Sequence, residues 1–127
     1  MQDDHTVLVL EDETTLLEAI KAKLQASGFN VVGARTATQG INYLTDVPGI
    51  DAVWLDHYLL GKDSGLEFVA AIRRKEPPLS DIPVFVVSNT ASPDKVQAYA
   101  RLGVTKYYIK SNYRLDEIAN DIKNFLK

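Results

Sequence analysis

Four places in the chain put chemically capable side chains at the end of a short apolar run. In chain order they are Glu11-Asp12-Glu13, Asp56, Ser88 and Lys110. Carboxylates that are forced together repel, and one of them takes up a proton unless a cation lies among them. Mg²⁺ prefers oxygen ligands and binds through one or two carboxylates, several waters and phosphate oxygens. Glu11, Asp12 and Asp56 therefore predict a Mg²⁺ site, with each acid bound directly or through water.

The same residues suit phosphoryl transfer. Carboxylates act as nucleophiles in enzymes that form aspartyl phosphates, which makes Asp56 the candidate acceptor. Lys110 is then able to pair with a phosphoryl oxygen as a compact charge, and Ser88 to donate a hydrogen bond. Each residue alone has an ordinary explanation, because an Asp after a strand often forms a turn and acids often precede a helix. The prediction depends on their joint placement.

Other metals and redox chemistry receive no support. The chain has no cysteine, and neither of its two histidines lies at one of the four strand ends, so zinc and copper sites are disfavoured. His57, next to Asp56, is interpreted as an outward-facing loop residue. Trp54 precedes Asp56 by two residues, so both point to the same side of a strand, and the tryptophan is a convenient reporter.

These four places converge only if the apolar runs form one parallel sheet. The predicted strands are Thr6–Leu10, Asn30–Ala34, Ala52–Leu55, Pro83–Val87 and Thr105–Ile109. Apolar residues at helical spacing follow each strand, with a capping box predicted at Thr36 and Gln39 and an N-cap at Ser92 before Pro93. Strands that alternate with five helices predict a doubly wound α/β fold, whose ligands gather at the carboxyl ends of the strands.

Composition narrows the choice of partner and location. The net charge is −3, and the densest basic run is only Arg73-Arg74-Lys75, so no direct nucleic-acid partner is predicted. The acidic start Met1–Asp4 lacks the apolar segment of a secretory signal, and the longest apolar runs are strand-sized. We therefore expect a cytoplasmic protein that does not bind or cross a membrane.

Four segments together resemble the response-regulator receiver family of two-component signalling. They are Val7–Glu13, Trp54–Gly65, Pro83–Ser88 and Gly103–Lys110. The resemblance covers essentially the whole chain and implies a single receiver domain over residues 1–127. The implied fold is flavodoxin-like, with five parallel strands in the order 2-1-3-4-5 and five helices.

The resemblance also implies a mechanism and partners. It implies that Asp12, Asp56 and the backbone carbonyl of Tyr58 hold Mg²⁺, that Glu11 acts mainly through water, and that Tyr107 turns inward when Ser88 moves toward the phosphate. The protein would be a switch that assists its own phosphorylation and dephosphorylation, not an enzyme. A histidine kinase or phosphotransfer protein would supply the phosphoryl group, and a downstream protein would read the result. A homodimer through the fourth helix, fifth strand and fifth helix stays open, as does the choice between a stand-alone receiver and a fragment.

Four positions depart from the family pattern. Leu60 replaces a usual Pro, the loop through Asp63-Ser64-Gly65 is one residue longer, and Asn89 narrows access to the phosphoryl group. Ser111 replaces the Pro that usually follows the lysine in a cis bond. A cis bond before Ser costs about 3–4 kcal/mol, against roughly 0.5–1 kcal/mol before Pro. We therefore expect either a strained cis Lys110–Ser111 bond or a shifted loop.

Two other functions are disfavoured by the site residues, and one helix is a candidate mobile element. A receiver-like interaction module that works without phosphorylation is disfavoured by the complete set of site residues. A flavin-binding electron carrier is disfavoured because Glu11-Asp12-Glu13 would repel the flavin phosphate. The helix Asp94–Arg101 has only a weak apolar stripe, mainly Val96 and Ala100, so it is the candidate mobile element or, equally, an ordinary exposed helix.

Overall fold

Strands and helices alternate along the chain in the order that the apolar runs predict. The computed structural model describes residues 4–127, so Met1–Asp3, and with them most of the segment used to exclude a secretory signal, lie outside the described residues. The strands are β1 Thr6–Leu10, β2 Asn30–Ala34, β3 Ile50–Leu55, β4 Val84–Ser88 and β5 Lys106–Ile109. The helices are α1 Thr14–Ala26, α2 Ala37–Asp46, α3 Gly65–Arg73, α4 Pro93–Arg101 and α5 Leu115–Leu126.

The five strands form one parallel sheet in the order β2-β1-β3-β4-β5. This confirms the flavodoxin-like fold. Leu10 pairs with both Ala34 and Leu55, and Leu55 pairs with Val86. The carboxyl ends of β1, β2 and β3 therefore lie level, and β4 and β5 extend two residues further, so the loops after all five strands open at a common edge. Among the described residues no helix has the length and apolar character needed to cross a bilayer.

Helices cover both faces of the sheet, which explains why its central strands are continuously apolar. Alternate residues of β1, β3 and β4 pack against α1 and α5, and Trp54 is fully buried in this layer. The intervening residues pack against α2, α3 and α4, with Phe68 at 0% exposure in that layer. Because alternate residues of each strand point to opposite faces, the burial of the strand determines the direction of the side chain at its end.

Helix starts follow the predicted capping signals in part. The Ser92 hydroxyl accepts a hydrogen bond from the Lys95 amide at 3.3 Å, and Pro93 is the first helical residue. The Thr36 hydroxyl accepts from the Gln39 amide at 3.0 Å. The reciprocal half of the predicted box is wrong, because the Gln39 side chain accepts from the amide of Arg35 at 2.9 Å instead.

Two further expectations need correction. Strand β3 begins at Ile50, not Ala52, because Ile50 pairs with Thr6 at the start of β1. The cis alternative for the Lys110–Ser111 bond is wrong, since Pro77–Pro78 is the one cis bond among residues 4–127. Residues Lys110–Asn112 form a short 3-10 turn with a trans bond after Lys110, so the chain leaves β5 without the penalty of a non-proline cis bond.

The fourth helix is anchored differently from the prediction. Tyr99 is fully buried against the face that carries α2 and α3, whereas Val96 is half-buried and Ala100 is exposed. The predicted stripe consists of aliphatic residues, whereas the buried residue is an aromatic side chain with a hydroxyl group. Tyr99 is the one buried residue of the helix, and the mobility of α4 stays a prediction.

Candidate functional site

Three carboxylates meet where β1 and β3 end. One oxygen atom from each of Glu11, Asp12 and Asp56 lies within 4.8 Å of the others. Hydrogen bonds that continue the sheet beyond the strands set this geometry, since the Glu11 amide donates to Ala34 at 3.0 Å and the Asp56 amide to Leu10 at 2.9 Å. Glu11 and Asp56 are buried, at 1% and 3% exposure, and Asp12 is half-buried.

One ammonium group faces two of these acids. The Nζ atom of Lys110 lies 3.2 Å from Oε1 of Glu11 and 3.5 Å from Oδ1 of Asp56. The latter oxygen is buried and makes no hydrogen bond among the described residues. One ammonium group therefore faces two buried carboxylates, and Oδ1 of Asp56 stays available as an acceptor.

The electrostatics of the cluster follow from this imbalance. Burial, and then the neighbouring charge of Asp56, raise the pKa of Glu11 to about 7, although Lys110 acts in the opposite direction. Burial also raises the pKa of Asp56, opposed by Lys110 and reinforced by Asp12. Both buried acids thus resist ionisation in the absence of further positive charge. A divalent cation with oxygen ligands would relieve the repulsion, and the donor set fits one.

The other predicted site residues lie at the same edge. Ser88 ends β4 one residue beyond the level of Asp56, and it is fully buried. Its hydroxyl accepts a hydrogen bond from the Thr90 amide at 3.5 Å, while the hydroxyl of half-buried Tyr107 donates to the Thr90 carbonyl at 2.5 Å. Thr90 therefore links the two residues for which the resemblance implies a switch.

The loop after β3 reaches α4 through Tyr58. This side chain is 52% exposed, and its hydroxyl lies 3.3 Å from Nζ of Lys95, which also donates to the Thr90 hydroxyl at 2.6 Å. The Lys95 hydrogen bond is the main cause that lowers the pKa of Tyr58. No sequence signal marked Lys95 beyond its place in the first turn of α4. The metal-binding role of the Tyr58 carbonyl stays a prediction.

His57 is not the outward-facing residue that was expected. It is half-buried, and its Nδ1 atom shares a hydrogen bond of 2.6 Å with the hydroxyl of Tyr99. Burial, and then Lys95, lower the pKa of His57. The close packing depends on Gly65, where a Cβ atom would lie 2.7 Å from both the Asp56 carbonyl and the Tyr99 hydroxyl. The glycine after Ser64 was the available signal for a close approach of this kind.

Comparison with known proteins now identifies the class. The family model of the response regulator receiver domain matches residues 7–123. The chain belongs to this family, and it is therefore a receiver domain of two-component signalling.

Individual relatives agree with this assignment. A putative NtrX-like response regulator of Rickettsia typhi is 32% identical over 104 residues, which cover 82% of this chain and 21% of that protein. This chain thus spans about a fifth of the length of that relative. A response regulator receiver protein from Pseudomonas putida shares the fold with a TM-score of 0.88 at 24% identity, covering 98% and 99% of the two chains.

Two further structures are 25% identical to this chain. The phosphorylated cyanobacterial phytochrome response regulator RcpA has a TM-score of 0.79 and covers 97% of this chain and 91% of its own. The Mn²⁺-bound form of the response regulator Rcp1 has a TM-score of 0.80, with coverage of 96% and 94%.

Proposed function

We propose that this receiver domain is a switch in which Asp56 accepts a phosphoryl group, with Mg²⁺ as the required cofactor. The observation that carries the proposal is the state of Asp56. Its carboxylate is buried beside two other acids and one lysine, and its Oδ1 atom has no hydrogen-bond partner among the described residues. A buried oxygen that makes no hydrogen bond is costly in a purely structural role, whereas a nucleophile needs a free oxygen.

The proposed donor is a phosphohistidine on a histidine kinase or a phosphotransfer protein. An oxygen of Asp56 forms a bond to phosphorus, the bond between phosphorus and the imidazole nitrogen breaks, and that nitrogen keeps the electron pair. The structure of the response regulator RcpA in a phosphorylated form supports phosphorylation of this domain.

The residues around Asp56 divide the work of binding and charge neutralisation. Asp12, Asp56 and the backbone carbonyl of Tyr58 are the proposed metal ligands, with Glu11 acting through water; the Mn²⁺-bound Rcp1 structure supports a divalent site in the family. When bound, Mg²⁺ supplies neutralisation of the acids and of the phosphoryl oxygens. Lys110, already 3.5 Å from Oδ1 of Asp56, pairs with a phosphoryl oxygen, and Ser88 donates a hydrogen bond to another.

The readout passes from Ser88 through Thr90 to Tyr107. Both side chains contact Thr90, so a shift of Ser88 toward the phosphoryl group disturbs the anchor of Tyr107. The proposed interaction face comprises α4, β5 and α5, and it binds a downstream protein or a second copy of the chain. We place this exchange in the cytoplasm. The domain is a phosphoacceptor switch, and it assists its own phosphorylation and dephosphorylation.

Fluorescence of Trp54 tests the proposal. This is the sole tryptophan of the chain, it is fully buried, and it shares with Lys110 the lining of a cavity of about 140 Å³. We expect a saturable change on adding Mg²⁺ and a second change on adding beryllofluoride, a phosphoryl mimic. The matched control is Asp56→Asn, which should lose the second change. A wild-type protein without a metal response, or a variant with the full response to beryllofluoride, would contradict the proposal and favour an interaction module independent of phosphorylation.

A further inference from the structure

Arg35 holds the peptide bond that joins Asp12 to Glu13. Its Nε and Nη2 atoms donate to the carbonyl oxygen of Asp12 at 3.0 and 2.8 Å. Arg35 lies just after β2, so these hydrogen bonds join the end of β2 to the loop that follows β1. A guanidinium donates two such bonds in a fixed geometry, whereas an ammonium group does not.

The same peptide bond is held from its other side by an acid of the site. The amide of Glu13 donates to Oε2 of Glu11 at 3.2 Å, while Oε1 of Glu11 lies 3.2 Å from Nζ of Lys110. Rotation of the Asp12–Glu13 peptide plane would break the hydrogen bonds on both sides at once. The guanidinium also polarises the peptide, which strengthens the amide as a donor.

The backbone of Arg35 is itself fixed to the loop that follows the phosphoacceptor. Its amide donates to the side chain of Gln39 at 2.9 Å, and its carbonyl accepts from the amide of Leu60 at 2.9 Å. Arg35 thus connects the loops after β1, β2 and β3, and two of these carry the acids of the site.

We infer that Arg35 is a positioning residue for the acid cluster. Its guanidinium binds the backbone carbonyl of Asp12, and it acts through the Asp12–Glu13 peptide to orient Asp12 and Glu11. This inference rests on the proposed Mg²⁺ site for its functional consequence. Residues that orient metal ligands typically change metal affinity by 10-fold to 100-fold when they are replaced.

Charge and position make opposite predictions for Arg35→Ala. Removal of a positive charge near the acids would by itself strengthen the binding of a cation, whereas loss of positioning would weaken it. We expect Mg²⁺ affinity, measured by calorimetry, to fall about tenfold in Arg35→Ala and by less in Arg35→Lys, which keeps the charge and one donor group. The control is Arg101→Ala. It removes an exposed arginine at the carboxyl end of α4 and should leave the affinity for Mg²⁺ unchanged.

A second measurement does not depend on metal. Amide relaxation of Glu13 in the metal-free protein should show an ordered backbone in the wild type, with an order parameter near 0.85, and a clear fall in Arg35→Ala. Equal or tighter Mg²⁺ binding by Arg35→Ala, together with an unchanged Glu13 amide, would overturn the inference. If the wild type bound no Mg²⁺, the proposed function would fail, and the Glu13 amide alone would decide whether Arg35 orders this loop.

Discussion

The individual residues that define the site are carboxylates buried without enough positive charge to neutralise them. Glu11 and Asp56 have raised pKa values because burial disfavours their ionised forms and Lys110 compensates only in part. Such an arrangement is a poor way to stabilise a fold, since burial disfavours the ionised forms of both acids. It is a suitable way to hold a divalent ion.

The pH dependence of stability follows from Glu11. Its pKa rises from 4.5 to about 7 on folding, so the native protein binds the extra proton and loses stability as the pH rises through that window. At about 1.4 kcal/mol per pKa unit, the effect approaches roughly 3 kcal/mol. Urea unfolding in a chelator at pH 4.5 to 8 should therefore show Glu11→Gln gaining stability over the wild type as the pH rises. A constant difference between the two proteins would contradict this assignment.

Most of the acid site was predictable from residue type and strand position. The structure brings Glu11, Asp12, Asp56 and Lys110 together because parallel strands end at one edge, which a pattern of apolar runs already indicates. Their roles remain proposals. The contact of His57 with Tyr99 was not predictable in the same way, because it depends on how α4 packs over the loop after β3 and no periodicity reports that orientation.

At the scale of elements, α4 is fixed to the phosphoacceptor loop by Tyr99. The ring of Tyr99 is fully buried, its hydroxyl bonds to His57, and its ring centroid lies 5.8 Å from that of Tyr107. The helix therefore contacts both the residue after Asp56 and the proposed switch aromatic. The aliphatic stripe of Val96 and Ala100, from which α4 was predicted to be mobile, did not indicate this aromatic anchor.

Tyr99→Phe tests this anchor. The variant keeps the ring but leaves the half-buried Nδ1 of His57 without its partner, which should lower the free energy of unfolding by about 1–2 kcal/mol. Tyr107→Phe is the matched control, because its hydroxyl bonds to the Thr90 carbonyl at an exposed position and water is able to replace it. The free energies of unfolding are compared by urea denaturation, because a shift of the midpoint at an unchanged m-value measures the change in stability. An equal effect of the two changes would show that the Tyr99 hydroxyl is no special anchor.

In the whole molecule, the fold forms a sheet whose carboxyl edge carries three carboxylates that need positive charge. Five parallel strands end at one edge, and hydrogen bonds of Arg35 join the three loops after β1, β2 and β3, two of which carry the acids. Ligands that bind only the native state stabilise it in proportion to the logarithm of their concentration. Mg²⁺ and a phosphoryl group thus act on the same equilibrium as the protons of Glu11 and Asp56. This linkage between metal, phosphate and protons is the physical basis of the proposed switch.

Mg²⁺-dependent phosphorylation of Asp56 is tested most directly by locating the phosphoryl group in the protein. The wild-type protein is incubated with acetyl phosphate and Mg²⁺, and intact mass followed by peptide mapping gives the modified residue. We predict one added phosphoryl group on Asp56, its absence when a chelator replaces Mg²⁺, and its absence in Asp56→Asn. A phosphoryl group on another residue, or modification of Asp56 at the same rate without a divalent ion, would contradict the account.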